Sequence, residues 1–144
     1  RVAEDGRGFY SERTDYRQNE CSAFVQETVL PLRGGVPGAA CTNRELTDRV
    51  RAWFAALPEP ATIVFDYETD WHLLAVAMLG RPQKKPSASF ATPLFLDSYA
   101  ITHPVFEQAQ TLTYTQDWPL HHALADARAL MEGYRAWHPI MEKI

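Results

Sequence analysis

The sequence predicts an α/β layer architecture built around one sheet, and three observations carry that expectation. An Asp-Gly pair at Asp5–Gly6 separates two short strand-like runs. Ala61-Thr-Ile-Val-Phe-Asp66 is a short apolar run rich in β-branched residues, the signature of a buried strand. Helical apolar patterns lie on both sides of that run and again at the end of the chain, so helices can cover the sheet.

Taken in order, Val2 to Glu4, Asp5 to Arg7 and Gly8 to Glu12 read as strand, turn and strand, because Asp-Gly supplies the positive φ of a tight hairpin. From Glu20 to Leu32, the spacing of Phe24, Val25, Thr28, Val29 and Leu32 predicts a helix that Pro31 ends or distorts. The segment Gly34 to Gly38 is a connection, and it lacks the Gly-Lys-Ser/Thr ending of a phosphate loop. Thr42-Asn-Arg-Glu45 is a capping box, and Leu46, Val50, Trp53, Phe54 and Leu57 share one face of the helix it opens. After the Ala61–Asp66 strand, Thr69-Asp70-Trp71 opens a helix expected to turn Leu73, Leu74, Ala77 and Met78 inward. Arg81 to Pro86 is a basic, proline-bounded loop, read as solvated rather than as a phosphate contact. Pro93 to Asp97 reads as a further strand, and Ser98 to Ile101 as its continuation or a short helix. Between His103 and Tyr114 the pattern shows no more than a short helix around Val105 to Gln110. A closing helix is expected from about Leu120 to Trp137, with Leu120, Leu124, Ala127, Met131 and Tyr134 along its buried stripe.

The chain has 144 residues, the size of one domain (1–144), and 46% of them are hydrophobic, enough for one core. A net charge of −4 argues against the broad basic footprint of strong non-specific nucleic-acid binding, though not against holding a nucleic-acid end through metal ions. Cys21 and Cys41 are too few for a disulfide scaffold and lack metal-ligand spacing, which suggests thiols in a reducing, cytoplasmic compartment. No apolar run is long enough to span a bilayer, so no membrane partner is expected. The chain begins with Arg1 rather than Met, in what reads as a folded element, and is therefore expected to be N-terminally incomplete.

The chemistry concentrates at the start of the closing helix, where His121-His-Ala-Leu-Ala-Asp126 runs into Ala-Arg-Ala-Leu-Met-Glu. Asp126 lies about 100° from the middle of the apolar stripe, on its border. A carboxylate there caps a helix, pairs with a cation or binds a metal. His121 and Asp126 would point apart inside one straight helix, so the histidine reaches a shared site most easily from the loop before it. The plain alternative is a surface His–Asp pair.

His-x-Ala-Leu-x-Asp-Ala at a helix start resembles the third motif of the DEDDh 3′–5′ exonucleases, the family of replicative proofreading subunits, oligoribonuclease and RNase T. Asp66-Tyr-Glu-Thr-Asp70-Trp-His-Leu-Leu, a strand end followed by an acid in the first turn of a helix, resembles the family's second motif. Leu96-Asp97-Ser98 resembles the strand between them, where Asp97 takes a structural place. The resemblance implies an RNase H-like fold, with a mixed central sheet flanked by helices. It implies Asp70 and Asp126 as metal ligands and His121 as general base. Asp66 stands as the alternative to Asp70, and His122 as the alternative to His121 if the register slips by one.

The implied reaction is phosphodiester hydrolysis from the 3′ end of RNA or single-stranded DNA. Two divalent cations, Mg²⁺ or Mn²⁺, would sit about 4 Å apart and clamp the attacking and leaving oxygens. Helix capping is the simpler role for Asp70. The family's first motif, Asp-x-Glu on the opening strand, is absent from these residues, so the first strand is expected to be missing here. If that segment does not exist, the expectation becomes a catalytically inactive exonuclease-like domain that binds nucleic acid or protein. Tyr67, Trp71, Phe9 and Tyr10 are candidates for stacking bases, with core packing as the alternative. A homodimer is a further expectation, because the hairpin leaves an open strand edge.

Overall fold

The computed structural model describes residues 2–81 and 90–144, and the chain divides into two compact units. One comprises Ser11–Asp15 and Ala40–Asp97, the other Arg1–Tyr10, Tyr16–Ala39 and Ser98–Ile144. The protein is mixed α/β, with helices predominating over small parallel sheets.

The first unit holds β1 (Glu12–Arg13), β2 (Ala40–Cys41), α1 (Asn43–Ala55), β3 (Ala61–Phe65), α2 (Glu68–Leu79) and β4 (Ala91–Phe95). Among the described residues its strands form two separate parallel pairs, β1 with β2 and β3 with β4, rather than the one sheet expected. The first pair is short because the chain turns away at Asp15, whose Oδ1 accepts from Arg13 Nε at 2.8 Å and from the Asn43 N–H at 2.9 Å. The Arg13 guanidinium, and then the Asn43 N–H, hold that carboxyl below its usual range.

β3 and β4 run in register from Ala61 opposite Ala91 to Phe65 opposite Phe95, with α2 in the crossover between them. β4 begins two residues before the expected Pro93, and the proline sits in mid-strand. The Leu96 N–H donates to the Phe65 carbonyl at 2.8 Å, so strand alternation turns the Pro93 nitrogen to the outer edge. A missing N–H costs nothing there.

α1 opens with the capping box read from the sequence: Thr42 Oγ1 accepts from the Glu45 N–H, and Glu45 Oε2 accepts from the Thr42 N–H. Its Leu46, Val50, Trp53, Phe54 and Leu57 all avoid full exposure, as predicted, and Thr47 joins them in the core. Thr47 has a specific task. Its hydroxyl donates to the Ala77 carbonyl at 2.7 Å, and Arg51 Nε donates to the Met78 carbonyl at 2.6 Å, so α1 satisfies the open C-terminal end of α2. Gly80 ends α2 in the left-handed conformation (φ +73°), with Thr47 Oγ1 3.2 Å from where a Cβ would stand.

The expected inward face of α2 holds at Leu74, with Ala77 and Met78 half-buried, and is corrected at Leu73, which is 57% exposed while Trp71 and Ala75 are buried. The indole of Trp71 stacks on Phe65 (5.8 Å, 15°) and Phe90 (5.3 Å, 21°), and its large apolar area sets the rotation of the helix.

The second unit starts with the predicted turn: the Ala3 N–H donates to Arg7 O and the Gly6 N–H to Ala3 O. Pairing there is a single antiparallel bridge, Val2 with Gly8, rather than a hairpin through Glu12, because Glu12 belongs to β1. The Glu20–Leu32 helix is distorted as Pro31 requires: Val25–Val29 is π-helical and Leu30–Leu32 is a 3₁₀ turn. Proline lacks the N–H and clashes with the carbonyl one turn back, so a regular α-ladder cannot pass through it.

α3 (Ser98–Ile101) is followed by α4 (Pro104–Thr113), with His103 as N-cap and Pro104 at the first helical position. α5 (Ala123–Met141) starts later than the expected Leu120 and runs past Trp137. Of its expected stripe Leu124 is buried and Ala127, Met131 and Tyr134 are half-buried, but Leu120 is 54% exposed and Ala125, Ala129 and Gly133 take the other buried places. Small residues line this face because α4 approaches closely. A Cβ on Gly133 would lie 2.6 Å from Phe106 Cε1, and Phe106 is fully buried. No helix among the described residues is long and apolar enough to cross a membrane.

In an ordinary helix interior, alanine is about 1 kcal/mol better than glycine. Gly133→Ala reverses that order and is expected to lower stability by ~1–3 kcal/mol, because the Phe106 ring has to move. Urea unfolding measures it. A stabilised Gly133→Ala protein would contradict the close α4–α5 approach.

Candidate functional site

The candidate site is built at the junction of α4 and α5, within the second unit. Tyr114 is the C-cap of α4, and the chain then turns through Thr115 to Pro119, held by Trp118 N–H to Thr115 Oγ1 and Thr115 N–H to Trp118 O, both at 3.1 Å. His122 caps α5 with an extended backbone, and its carbonyl accepts the first helical bond, from the Asp126 N–H at 2.8 Å.

His121 lies outside the helix, as the spacing predicts, and its backbone is in the left-handed region with φ +72°. Among the described residues it is the only non-glycine with positive φ. For a side chain bearing a Cβ this conformation costs roughly 1–2 kcal/mol. Asp126 holds it there: Asp126 Oδ1 accepts from the His121 backbone N–H at 3.1 Å and from the Tyr114 hydroxyl at 3.0 Å. The two donors fix a half-buried carboxylate on one oxygen. Among the described residues no hydrogen bond engages its second oxygen.

His121 and Asp126 are thus brought together, though through the main chain of the histidine. The imidazole of His121 meets Phe24 edge-on, with ring centroids 5.2 Å apart, and is partly exposed. His122 is placed differently. Its ring is 7% exposed, stacked on Tyr10 at 5.0 Å and edge-on to Trp118 at 5.1 Å, with Arg128 over the Trp118 face. Its Nδ1 is buried without a hydrogen-bond partner. His122 is built into an aromatic stack, and His121 is the histidine that solvent and a ligand can reach.

Asp70 and Asp66 belong to the other unit. Asp70 is in the first turn of α2, its N–H bonded to Tyr67 O at 2.9 Å, and Asp66 follows the carboxyl end of β3; both are half-buried. Of the aromatic candidates, Tyr67 is exposed, Trp71 is buried in the core, Phe9 and Tyr10 are half-buried, and Tyr10 is committed to His122. The basic loop after Arg81 lies outside the described residues.

Among the described residues no three His, Cys, Asp or Glu side chains converge as a metal-holding group. Asp126 fits one position of a hard-cation site, being a carboxylate with one oxygen anchored and the other without a hydrogen bond. The described residues do not by themselves complete a cation site.

The chain matches no family model, no curated protein and no solved structure.

Tyr114 and Phe24 are the residues of this site that sequence reasoning missed. Neither stands in a periodic relation to Asp126, and only the turn at Trp118 brings Tyr114 back to it.

The strained His121 backbone makes a prediction that separates conformation from chemistry. At an ordinary position, glycine is the less stable replacement because it loses more chain entropy. At position 121, His121→Gly is expected to exceed His121→Ala in stability by ~1 kcal/mol in urea unfolding. Equal stability, or the ordinary order, would contradict the left-handed conformation.

Proposed function

We propose that this protein is a phosphodiester hydrolase of the DEDDh 3′–5′ exonuclease type with an RNase H-like fold, acting on the 3′ end of RNA or single-stranded DNA. One observation carries the reading: His121 is held in a costly backbone conformation by the carboxylate of Asp126. Those are the two functional residues of the motif His-x-Ala-Leu-x-Asp-Ala. Strained backbone persists where surrounding structure over-determines it, and it concentrates at functional sites. The parallel β3–α2–β4 unit, with an acid in the first turn of its helix, is the second support.

In this reading Asp126 would hold a cation through the oxygen that its two donors leave without a hydrogen bond, and Asp70, in the other unit, is the second ligand that the motif resemblance implies. Bound Mg²⁺ or Mn²⁺ would neutralise charge on the scissile phosphate and lower the pKa of the attacking water. The His121 imidazole, partly exposed in the loop before α5, is the group that would accept a proton in this reaction. Phe24, edge-on to His121, limits the positions its ring can adopt. His122 supports the loop by packing and takes no proton.

A second reading, a non-catalytic domain that binds nucleic acid, is favoured by the lack of three convergent acids or histidines among the described residues. Incubation with 5′-labelled single-stranded RNA and DNA, with Mn²⁺ and with EDTA, separates the two. The exonuclease yields a metal-dependent ladder shortening from the 3′ end. Binding without cleavage under any metal would sink the enzyme.

Within that assay, Asp126→Asn is expected to abolish cleavage, and His121→Ala to lower its rate by roughly 10²–10⁴-fold with little change in Mn²⁺ dependence. His122→Phe preserves the aromatic stack and is expected to cleave at close to the wild-type rate. Greater loss in His122→Phe than in His121→Ala would exchange the two roles.

A further inference from the structure

The first unit carries an open groove of about 600 Å³ that the proposed chemistry does not use. It is lined by the last residue of β3, by Pro93 and Phe95 of β4 and by the first turns of α2. Its flat walls are Phe65, Trp71, Pro93 and Phe95, and its polar groups are Glu68, Thr69 and His72 from the first turns of α2. Phe65 stacks on Trp71 and meets Phe95 at 5.6 Å and 52°. Phe65 and Trp71 are buried, whereas Phe95 is 47% exposed, an apolar ring kept in water at a strand end.

We infer that this groove holds one unpaired nucleobase of a single strand, with Phe95 as the stacking platform. The inference rests on the nucleic-acid reading above and names how such a substrate is held. The chemistry selects among ligand classes. A hydrocarbon chain would cover the aromatic walls but strip water from a carboxylate, a hydroxyl and an imidazole without replacing their hydrogen bonds. A phosphate alone would leave the rings uncovered, and the Glu68 carboxylate repels it. A nucleobase meets both halves: its π-face stacks on Phe95, and its edge offers donors to Glu68 and Thr69 and acceptors to Thr69 and His72. Asp70, placed above as a cation ligand, stands in the same first turn of α2 as Glu68 and Thr69.

The test is fluorescence anisotropy in EDTA, so that binding is read without hydrolysis. It compares a labelled deoxycytidine hexamer with a hexamer in which tetrahydrofuran spacers replace every base. Phe95 is half-exposed, so Phe95→Ala leaves the core of the unit intact, and Phe95→Trp restores an aromatic face. The wild type is expected to bind the base-bearing hexamer about tenfold or more tightly than the spacer hexamer. Phe95→Ala loses about that factor for the base-bearing hexamer alone, and Phe95→Trp recovers it. Unchanged binding by Phe95→Ala, equal loss for both hexamers, or no binding by the wild type would overturn the groove. Mn²⁺-dependent shortening is assayed in parallel. Shortening that persists while Phe95→Ala binds normally removes the groove and leaves the nuclease, whereas base-dependent binding without shortening removes the nuclease and leaves the groove.

Discussion

The packing of the Phe106 ring against the bare backbone of Gly133 is the constraint on which the second unit depends. Any side chain at that position would push α4 away from α5. The close approach explains why three of the four buried residues of α5 are as small as Ala125, Ala129 and Gly133, with Leu124 the one larger side chain. It also sets where α4 ends, and so where the Tyr114 hydroxyl meets Asp126. A contact in the core thereby fixes a carboxylate at the edge. The carboxylate in turn holds His121 in a conformation that the histidine alone would leave.

The first unit has its own version of this economy. A two-stranded parallel sheet is weak by itself, so its stability has to come from the helices packed on it. Here α1 supplies Thr47 and Arg51 to the last carbonyls of α2, while Trp71 from the opposite end of α2 stacks on Phe65 of β3. α2 is therefore held at both ends, which places the first turn, with Glu68, Thr69, Asp70 and His72, firmly beside the ends of the strands. Positioning of that quality is what a binding surface made of half-exposed side chains requires.

Much of this was legible in the sequence where local physics decides. The Thr42–Glu45 capping box, the Asp5–Gly6 turn, the distortion at Pro31 and the Ala61–Phe65 strand each follow from interactions within a few residues. The loop placement of His121 was also readable, because the five-residue spacing excludes a shared helical face, whereas the bond from its main-chain N–H to Asp126 was not. What local pattern could not supply was set by distant partners. Leu73 and Leu120 look like core residues by period, yet a large indole sets the rotation of α2 and Leu120 falls in the turn before α5. Among the described residues only one edge of β4 is paired, and Pro93 turns its nitrogen to the other. β1 stops at Arg13, where Asp15 binds Arg13 and Asn43, a contact that an alternating pattern does not register. Tyr114 and Phe95 carried no signal, since an aromatic at a helix end or strand end is ordinarily core.

The central claim is that Asp126, anchored by Tyr114 and the His121 backbone, is a cation ligand rather than a helix cap. Paramagnetic broadening tests it most directly. Increasing sub-stoichiometric Mn²⁺ would be added to ¹⁵N-labelled protein and the amide resonances followed by NMR. The account predicts early, selective loss of the His121 and Asp126 signals, abolished by Asp126→Asn and competed away by Mg²⁺. Broadening confined to exposed acids elsewhere, with His121 and Asp126 unaffected, would contradict it.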